Sequence, residues 1–394
     1  MHSVELFAGC GGLALGIADA GFEHALVAEY DAQAHATLLL NKSRGLRHVK
    51  DWGLKHGDVC EIDYSHLAKT VDLISGGPPC QPFSIGGKHK GPTDTRNMWP
   101  EAIRAVQELQ PKAFVFENVR GLLRPAFEQY LYFLRLQLSY PEVKGKQAET
   151  WKQHLVRLIQ HDKKVGAPSY RVLIQGINAA DYGAPQKRHR AIVMGVRADV
   201  NSDFTFPSPT HTREKLLWNQ YVTGEYWERH EISKAMRPVI AESDKAIIAE
   251  LRETLKLPQG RAWITTRDAL DGLPRPISTA EEIAHHLLHR GARIYVGHTG
   301  STWDQPAKAL KAGAHGVPGG ENIIVSRKGS VRYFTIREMA RLQGFPDNYN
   351  FSGPWVSLIR QLGNAVPVQV GRAFGREIYD ILSAKTSLKY KKIA

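Results

Sequence analysis

Apolar residues come in short runs that stop at a glycine or an acid, which reads as strands delivering chain turns at their ends. Ser3–Phe7 (SVELF) is the first such strand, and Ala25–Ala28, ending at Glu29, is the second. Val71–Ile74, Lys112–Phe116, Tyr170–Gly176 and Ala191–Val196 continue the series. Between them, Leu13–Gly21 reads as a helix closed by glycine and Met98–Leu109 as another, while residues 141–168 carry an inserted amphipathic helix with Trp151, Leu155, Leu158 and Ile159 on one face. Alternating strands and helices predict an α/β fold with a doubly wound, mostly parallel sheet.

From about residue 201 the texture changes. Proline and glycine punctuate Phe204–Thr212, Pro258–Gly260 and Gly313–Glu321, and Trp218, Trp227, Trp263 and Trp303 lie among these stretches. A second, smaller, loop-rich domain is therefore expected over 201–355, with 1–200 plus 356–394 forming the first. Thr335 followed by Glu338 predicts a capped helix start, and Gln361–Pro367 is expected to open a last helix running to about Leu382. His285, His286 and His289 have helical spacing, but with no carboxylate or cysteine nearby the expectation is an ordinary helix and no metal.

Three turns carry candidate chemistry. Ala8-Gly9-Cys10-Gly11-Gly12 follows the first strand, and Glu29 lies 20 residues after Gly9, a spacing at which glycines admit a ligand to the backbone and an acid can hold ribose hydroxyls. No Lys-Ser/Thr follows, so the turn is not a Walker phosphate loop. Asp58, after Gly57, is a third strand-end candidate, able to accept from an adenine amino group or to serve only as a turn residue. Gly76–Ser84 reads GGPPCQPFS, in which Pro78 and Pro79 stop strand and helix alike and present Cys80 on a stiff turn. The glycines at 86, 87 and 91 leave the next segment free to act as a lid. Glu117 ends the following strand, 37 residues after Cys80, so consecutive strands bring a thiol and a carboxylate to one sheet edge. Arg188 and Arg190 alternate at a strand start and are expected to face one anionic ligand.

Composition narrows the partners. The 394 residues suffice for two domains, and 23% charged with 42% hydrophobic residues is ordinary for a globular chain. No run approaches the ~18 apolar residues of a membrane span, and Met1–Glu5 lacks a leader's basic start, so a cytoplasmic protein is expected. Three cysteines without CxxC spacing give neither a disulfide framework nor a zinc site, leaving a reduced thiol available as a nucleophile. A net charge of +13, spread along the chain, favours a polyanionic partner.

Taken in order, these stretches resemble the cytosine-5 DNA methyltransferase family: FAGCGG (7–12), PPCQPFS (78–84), ENV (117–119), QKRHR (186–190), TIREMARLQGFP (335–346) and GNAVP (363–367). The resemblance implies a Rossmann-like methyltransferase domain with a smaller target-recognition domain. It implies S-adenosylmethionine as methyl donor, leaving S-adenosylhomocysteine, with cofactor contacts at Phe7, Ala8, Gly9, Gly11, Gly12, Glu29, Asp58, Val59, Pro79, Met98, Asn364 and Val366. It further implies Cys80 as the nucleophile on cytosine C6, Glu117 at N3 of the base, Arg190 on the exocyclic oxygen and Arg188 supporting the loop. Double-stranded DNA is the implied partner, with the target cytosine flipped out. Ser84, Lys88, Lys90, Arg96, Gln186, Arg237, Arg261 and Arg267 are the candidate DNA contacts. The chain reads as a monomeric, nucleoid-associated modification enzyme whose restriction endonuclease is a functional rather than a physical partner. Two alternatives stand beside this reading: an RNA cytosine-5 methyltransferase, against which stand about 130 residues of intervening chain, and an inactive DNA-binding regulator, against which stand the intact Cys80, Glu117 and glycine turn.

Overall fold

A computed structural model describes residues 1–79, 97–201, 203–277, 283–294, 299–313 and 322–391, with side chains to residue 384. Cys80, Ser84, Lys88, Lys90 and Arg96, and the glycines expected to hinge a lid, lie outside the described residues. The chain forms two compact units, one of residues 1–177, 189–207 and 371–394 and one of residues 178–188 and 208–370. These limits correct two expectations. Gln186, Lys187 and Arg188 fall in the second unit, and so do residues 356–370, including the GNAVP stretch.

In chain order the first unit contains β1 (His2–Leu6), α1 (Gly12–Asp19), β2 (Glu23–Glu29), α2 (Ala32–Ser43), β3 (Leu54–His56), β4 (Leu73–Gly76), α3 (Trp99–Leu109) and β5 (Ala113–Val119). Next come α4 (Glu128–Ser139), α5 (Trp151–Val165) and β6 (Tyr170–Asn178). β7 (Gln186–Lys187) belongs to the second unit, and β8 (His189–Arg197) returns to the first. Seven strands form one sheet in the order β3-β2-β1-β4-β5-β8-β6, with β3, β2, β1, β4 and β5 parallel and β8 antiparallel to β5. Strand order therefore reverses between β1 and β4, the switch point outside which open α/β sheets bind ligands.

Both faces of the sheet are covered, as parallel strands require. On one, Val4, Leu6, Ile74, Phe114 and Phe116 pack against Trp99, Ile103 and Val106 of α3 and Phe133 and Leu134 of α4. α5 starts at a Thr150–Gln153 capping box and lays Trp151 against Phe133, which is the packing role expected of the 141–168 insertion. On α1, the last helix of the chain comes in close through glycine: a Cβ at Gly371 would stand 2.8 Å from the Leu13 carbonyl and 3.1 Å from the Gly16 Cα. Only glycines permit that approach.

The second unit is built from short elements: β9 (His211–Thr212), α6 (Arg213–Tyr221), α7 (Glu225–Arg229), α8 (Glu242–Thr254), β10 (Arg261–Ala262), α9 (Thr266–Leu270), β11 (Ala307–Lys308), β12 (Ile323–Val325), β13 (Val331–Tyr333), α10 (Ile336–Leu342) and α11 (Trp355–Asn364). Small apolar clusters, such as Leu217, Ile248 and Leu251, hold them together. Thr335 caps α10 through the Glu338 capping box, as its sequence predicts. One helical expectation fails and one holds with a shifted start. The His285, His286 and His289 stretch is not a helix, His285 itself having φ 68. The expected last helix is present as α12 (Val368–Lys391) and starts directly after Pro367, which lacks an N–H, while Gln361–Asn364 ends α11. Among the described residues no helix is long and apolar enough to cross a membrane, and no group of three or more His, Cys, Asp or Glu is placed to hold a metal.

Candidate functional site

The register brings three strand ends to one level. Leu6 pairs with Gly76 and Gly76 with Phe116, so Phe7, Gly77 and Glu117 stand at one level: β1 and β4 end there, while β5 runs on beside β8 to Val119. Phe7, Gly9 and Gly11 all have positive φ (56, 56 and 89), which folds residues 7–12 into a tight turn. A side chain on Gly9 would meet nothing within 4 Å, so its backbone stands open. The Ala8 amide donates to the Ala28 carbonyl at 3.1 Å, tying the turn to β2.

Glu29 closes that side. Its carboxylate accepts from the Gly9 amide and from the Asp31 amide, each at 2.6 Å. Burial pushes its pKa above the ordinary carboxylate value, and the backbone N–H donors pull against that shift. Each oxygen retains acceptor capacity for a hydroxyl. Asp58 stands after β3 and caps a short 3-10 turn by accepting from the Cys60 amide at 2.9 Å, a bond that holds its carboxyl below the usual range. Val59 is buried, and its carbonyl accepts from Arg104. Pro79 and Met98 meet through the Met98 amide and Pro79 carbonyl at 3.1 Å.

Glu117 faces the same edge. In antiparallel pairing Val119 lies opposite Arg190 and Glu117 opposite Ile192, so Glu117 and Arg190 are diagonal neighbours on one face. They form a 2.6 Å ion pair from Arg190 Nε to Glu117 Oε1. The other Glu117 oxygen, Oε2, would stand 3.9 Å from a Cβ on Gly77, three residues before Cys80. Asn118, on the opposite face, donates from Nδ2 to the Pro78 carbonyl at 3.0 Å. The ENV stretch thus grips the turn that leads to the thiol.

Arg188, expected to face an anionic ligand, is instead turned into the second unit. It is 1% exposed, and its guanidinium donates to the carbonyls of Leu310 (2.8 Å) and Gly363 (2.7 Å). A buried cation fixed on two backbone carbonyls cannot touch a base, so it braces the GNAVP segment instead. Gln186, expected to contact DNA, is fully buried and donates to the Leu342 carbonyl (2.8 Å) and Gln343 Oε1 (2.9 Å). Gln186 lies on β7, which pairs with β11, and Arg188 follows two residues on; both side chains are buried within the second unit. A Cβ on Gly363 would collide with the backbone of Lys311 and Ala312, which explains the glycine. Asn364 is exposed and Val366 buried within the second unit.

Of the three second-unit arginines among the candidate DNA contacts, Arg267 is committed to Asp304 (2.7 Å) and Trp303 (5.4 Å to the ring). Arg237 lies over Trp227 at 5.6 Å. Arg261 is exposed on β10, with its amide bonded to the Thr210 carbonyl.

Sequence reasoning missed Glu5. This acid on β1 is 1% exposed and takes a hydrogen bond from the Ser75 hydroxyl of β4, its direct partner in the sheet, while its second oxygen has no partner among the described residues. Burial raises its pKa to about 8. The lone acid in an otherwise apolar strand SVELF was the available signal. Between about pH 4.5 and 8 the folded state holds a proton that the unfolded chain gives up, so Glu5 destabilises the fold progressively as pH rises through that window. The full shift corresponds to roughly 4–5 kcal/mol. Urea unfolding at pH 5, 6.5 and 8 is expected to show Glu5→Gln gaining on the wild type as pH rises; parallel pH trends in the two proteins would contradict it.

A central sheet with this strand order, a reversed β8 and a glycine turn at the switch point is the Rossmann-like fold of S-adenosylmethionine-dependent methyltransferases. The family model of C-5 cytosine-specific DNA methylases matches residues 1–380. The chain belongs to that family, and with it to the DNA (cytosine-5-)-methyltransferases. It is similar to the Type II methyltransferase M.PspPI of Psychrobacter sp. (31% identity, 97% of this chain and 79% of that protein). It is likewise similar to M.NgoMIV of Neisseria gonorrhoeae (30% identity, 96% and 97%). Among solved structures, the S. pombe Dnmt2 methyltransferase shares the fold at a TM-score of 0.54 and 16% identity, covering 98% of this chain and 99% of its own.

Proposed function

We propose that the protein methylates C5 of a flipped-out cytosine in a specific double-stranded DNA sequence, using S-adenosylmethionine and a transient covalent bond to Cys80. The observation that carries this reading is the Glu117 carboxylate, paired with Arg190 and set against Gly77 on the turn that continues into Cys80. Cytosine C5 is a weak nucleophile. Attack of the Cys80 thiolate on C6 forms a C–S bond and moves electron density to C5, while Glu117 hydrogen-bonds N3 as charge develops in the ring. Arg190 accompanies the exocyclic oxygen. C5 then takes the methyl group, and loss of its proton to a base expels the Cys80 sulfur and restores the aromatic ring.

The donor set suits an adenosyl cofactor: the open backbone at Gly9, the Glu29 carboxylate with acceptor capacity for ribose hydroxyls, and the anionic Asp58 beside buried Val59. S-adenosylmethionine supplies an electrophilic methyl on a sulfonium. Phe7, Ala8, Gly11, Gly12, Pro79 and Met98 line the same strand ends, and Asn364 and Val366 are assigned to it by motif. The second unit reads the target, with Arg261 the arginine left for base contact. The setting is a cytoplasmic, monomeric modification enzyme acting beside a restriction endonuclease. Bisulfite sequencing of plasmid from cells expressing the protein is expected to reveal one cytosine protected in one recurring sequence; an unmodified plasmid, with methyl incorporated into tRNA instead, would overturn the assignment.

A further inference from the structure

The three histidines of the 285–289 stretch are placed as fasteners. His285 Nε2 accepts from the Phe351 amide at 3.0 Å, and the His285 carbonyl accepts from the Arg337 amide at 2.9 Å. His286 is buried, 2.9 Å from both Thr335 Oγ1 and the Pro274 carbonyl. The His289 ring stacks on Trp355 at 4.4 Å, and burial lowers its pKa, which favours a neutral ring there. Ile277 pairs with Leu287 alongside them. Residues 285–289 are thereby pinned beside α10 and α11, and Arg290 follows directly on the last of them.

Those side chains are cationic. Arg275, Arg290 and Arg293 are exposed and carry no ion pair or hydrogen bond among the described residues. Other arginines of this unit are committed: Arg213 to Asp244, Arg229 to Asp268, Arg332 to Glu338, Arg341 to Asp347. In the sequence, residues 283–303 contain no Asp or Glu at all. Exposed arginines with no anionic partner among the described residues, following directly on a fastened stretch, suit a ligand with repeated negative charge.

We propose that residues 283–294, fastened by His285, His286 and His289, form a phosphate-binding ledge on which Arg290 and Arg293 grip the backbone of duplex DNA without reading its bases. This rests on the reading that the enzyme acts on duplex DNA. Backbone contacts position the protein and carry no sequence information, so their loss is felt equally on any duplex. Each phosphate contact adds about 0.9 to the slope of log K against log salt.

The test is a salt titration of binding by the full-length protein, from about 50 to 200 mM, on a duplex bearing the methylated sequence and on an unrelated duplex. R290Q/R293Q is expected to lower the slope by about 1.8 and to weaken both duplexes by the same factor. The charge-conserving R290K/R293K is expected to restore both quantities. An unchanged slope, a loss confined to the cognate duplex, or a loss that persists in the lysine variant would overturn the ledge. Failure of the wild-type protein to bind either duplex would instead remove the function on which the ledge depends.

Discussion

Cys80→Ala is expected to abolish methyl transfer, lowering kcat by about 10⁴-fold or more, with binding of duplex and cofactor retained. The size follows from what the thiolate does. Without a C–S bond at C6, C5 has no electron density to offer, and no other group at the strand ends can take over: Glu117 and Asp58 are carboxylates, and Cys10 is buried, its thiol pushed far up by burial and unavailable as a thiolate. The variant removes an attacking atom and leaves in place the bonds of the described turn, from Asn118 to the Pro78 carbonyl and from the Met98 amide to the Pro79 carbonyl. Turnover measured by methyl incorporation and binding by polarisation separate the two effects. Methylation surviving in the alanine variant would take Cys80 out of the mechanism.

Glu117→Gln is expected to cost about 10²–10³-fold in kcat with little change in KM. The amide matches the carboxylate in shape, so packing beside Gly77 survives, but it can neither supply a proton at N3 nor balance the charge of Arg190. Breaking the buried pair also leaves Arg190 without its anion, so some loss of thermal stability accompanies the kinetic defect. A thermal melt and steady-state kinetics on one preparation distinguish these. An unaltered kcat would remove Glu117 from the proton chemistry, whatever happens to the melting temperature.

Much of the first unit was legible because its signals are local. Short apolar runs mark β1, β2, β4 and β5, and each run ends in the feature its strand delivers to the sheet edge: a glycine turn, Glu29, two prolines or Glu117. The Thr335–Glu338 box was readable for the same reason, since a cap involves residues three apart. The misreadings all depend on partners distant in sequence. Alternation alone put Arg188 beside Arg190, yet Arg188 answers to carbonyls at Leu310 and Gly363, more than 100 residues away. Gln186 looked like a polar contact because nothing in its neighbourhood announces Leu342 and Gln343. The histidines have helical spacing, but each is bonded or stacked to a residue at least 12 positions off, and those bonds override a local preference. Glu5 escaped notice because its side-chain partner, Ser75, is supplied by strand pairing.

A covalent bond between one sulfur and one pyrimidine carbon stands at the centre of this chemistry, and it can be trapped. In a duplex carrying 5-fluorocytosine at the methylated position, the C5 substituent cannot leave as a proton does, so the C–S bond formed at C6 should persist. Incubation with S-adenosylmethionine, denaturation, proteolysis and mass spectrometry are expected to recover the modified base on the peptide containing Cys80, and none from the Cys80→Ala protein. An adduct on Cys10 or Cys60, or methyl transfer with no adduct on any cysteine, would contradict the account.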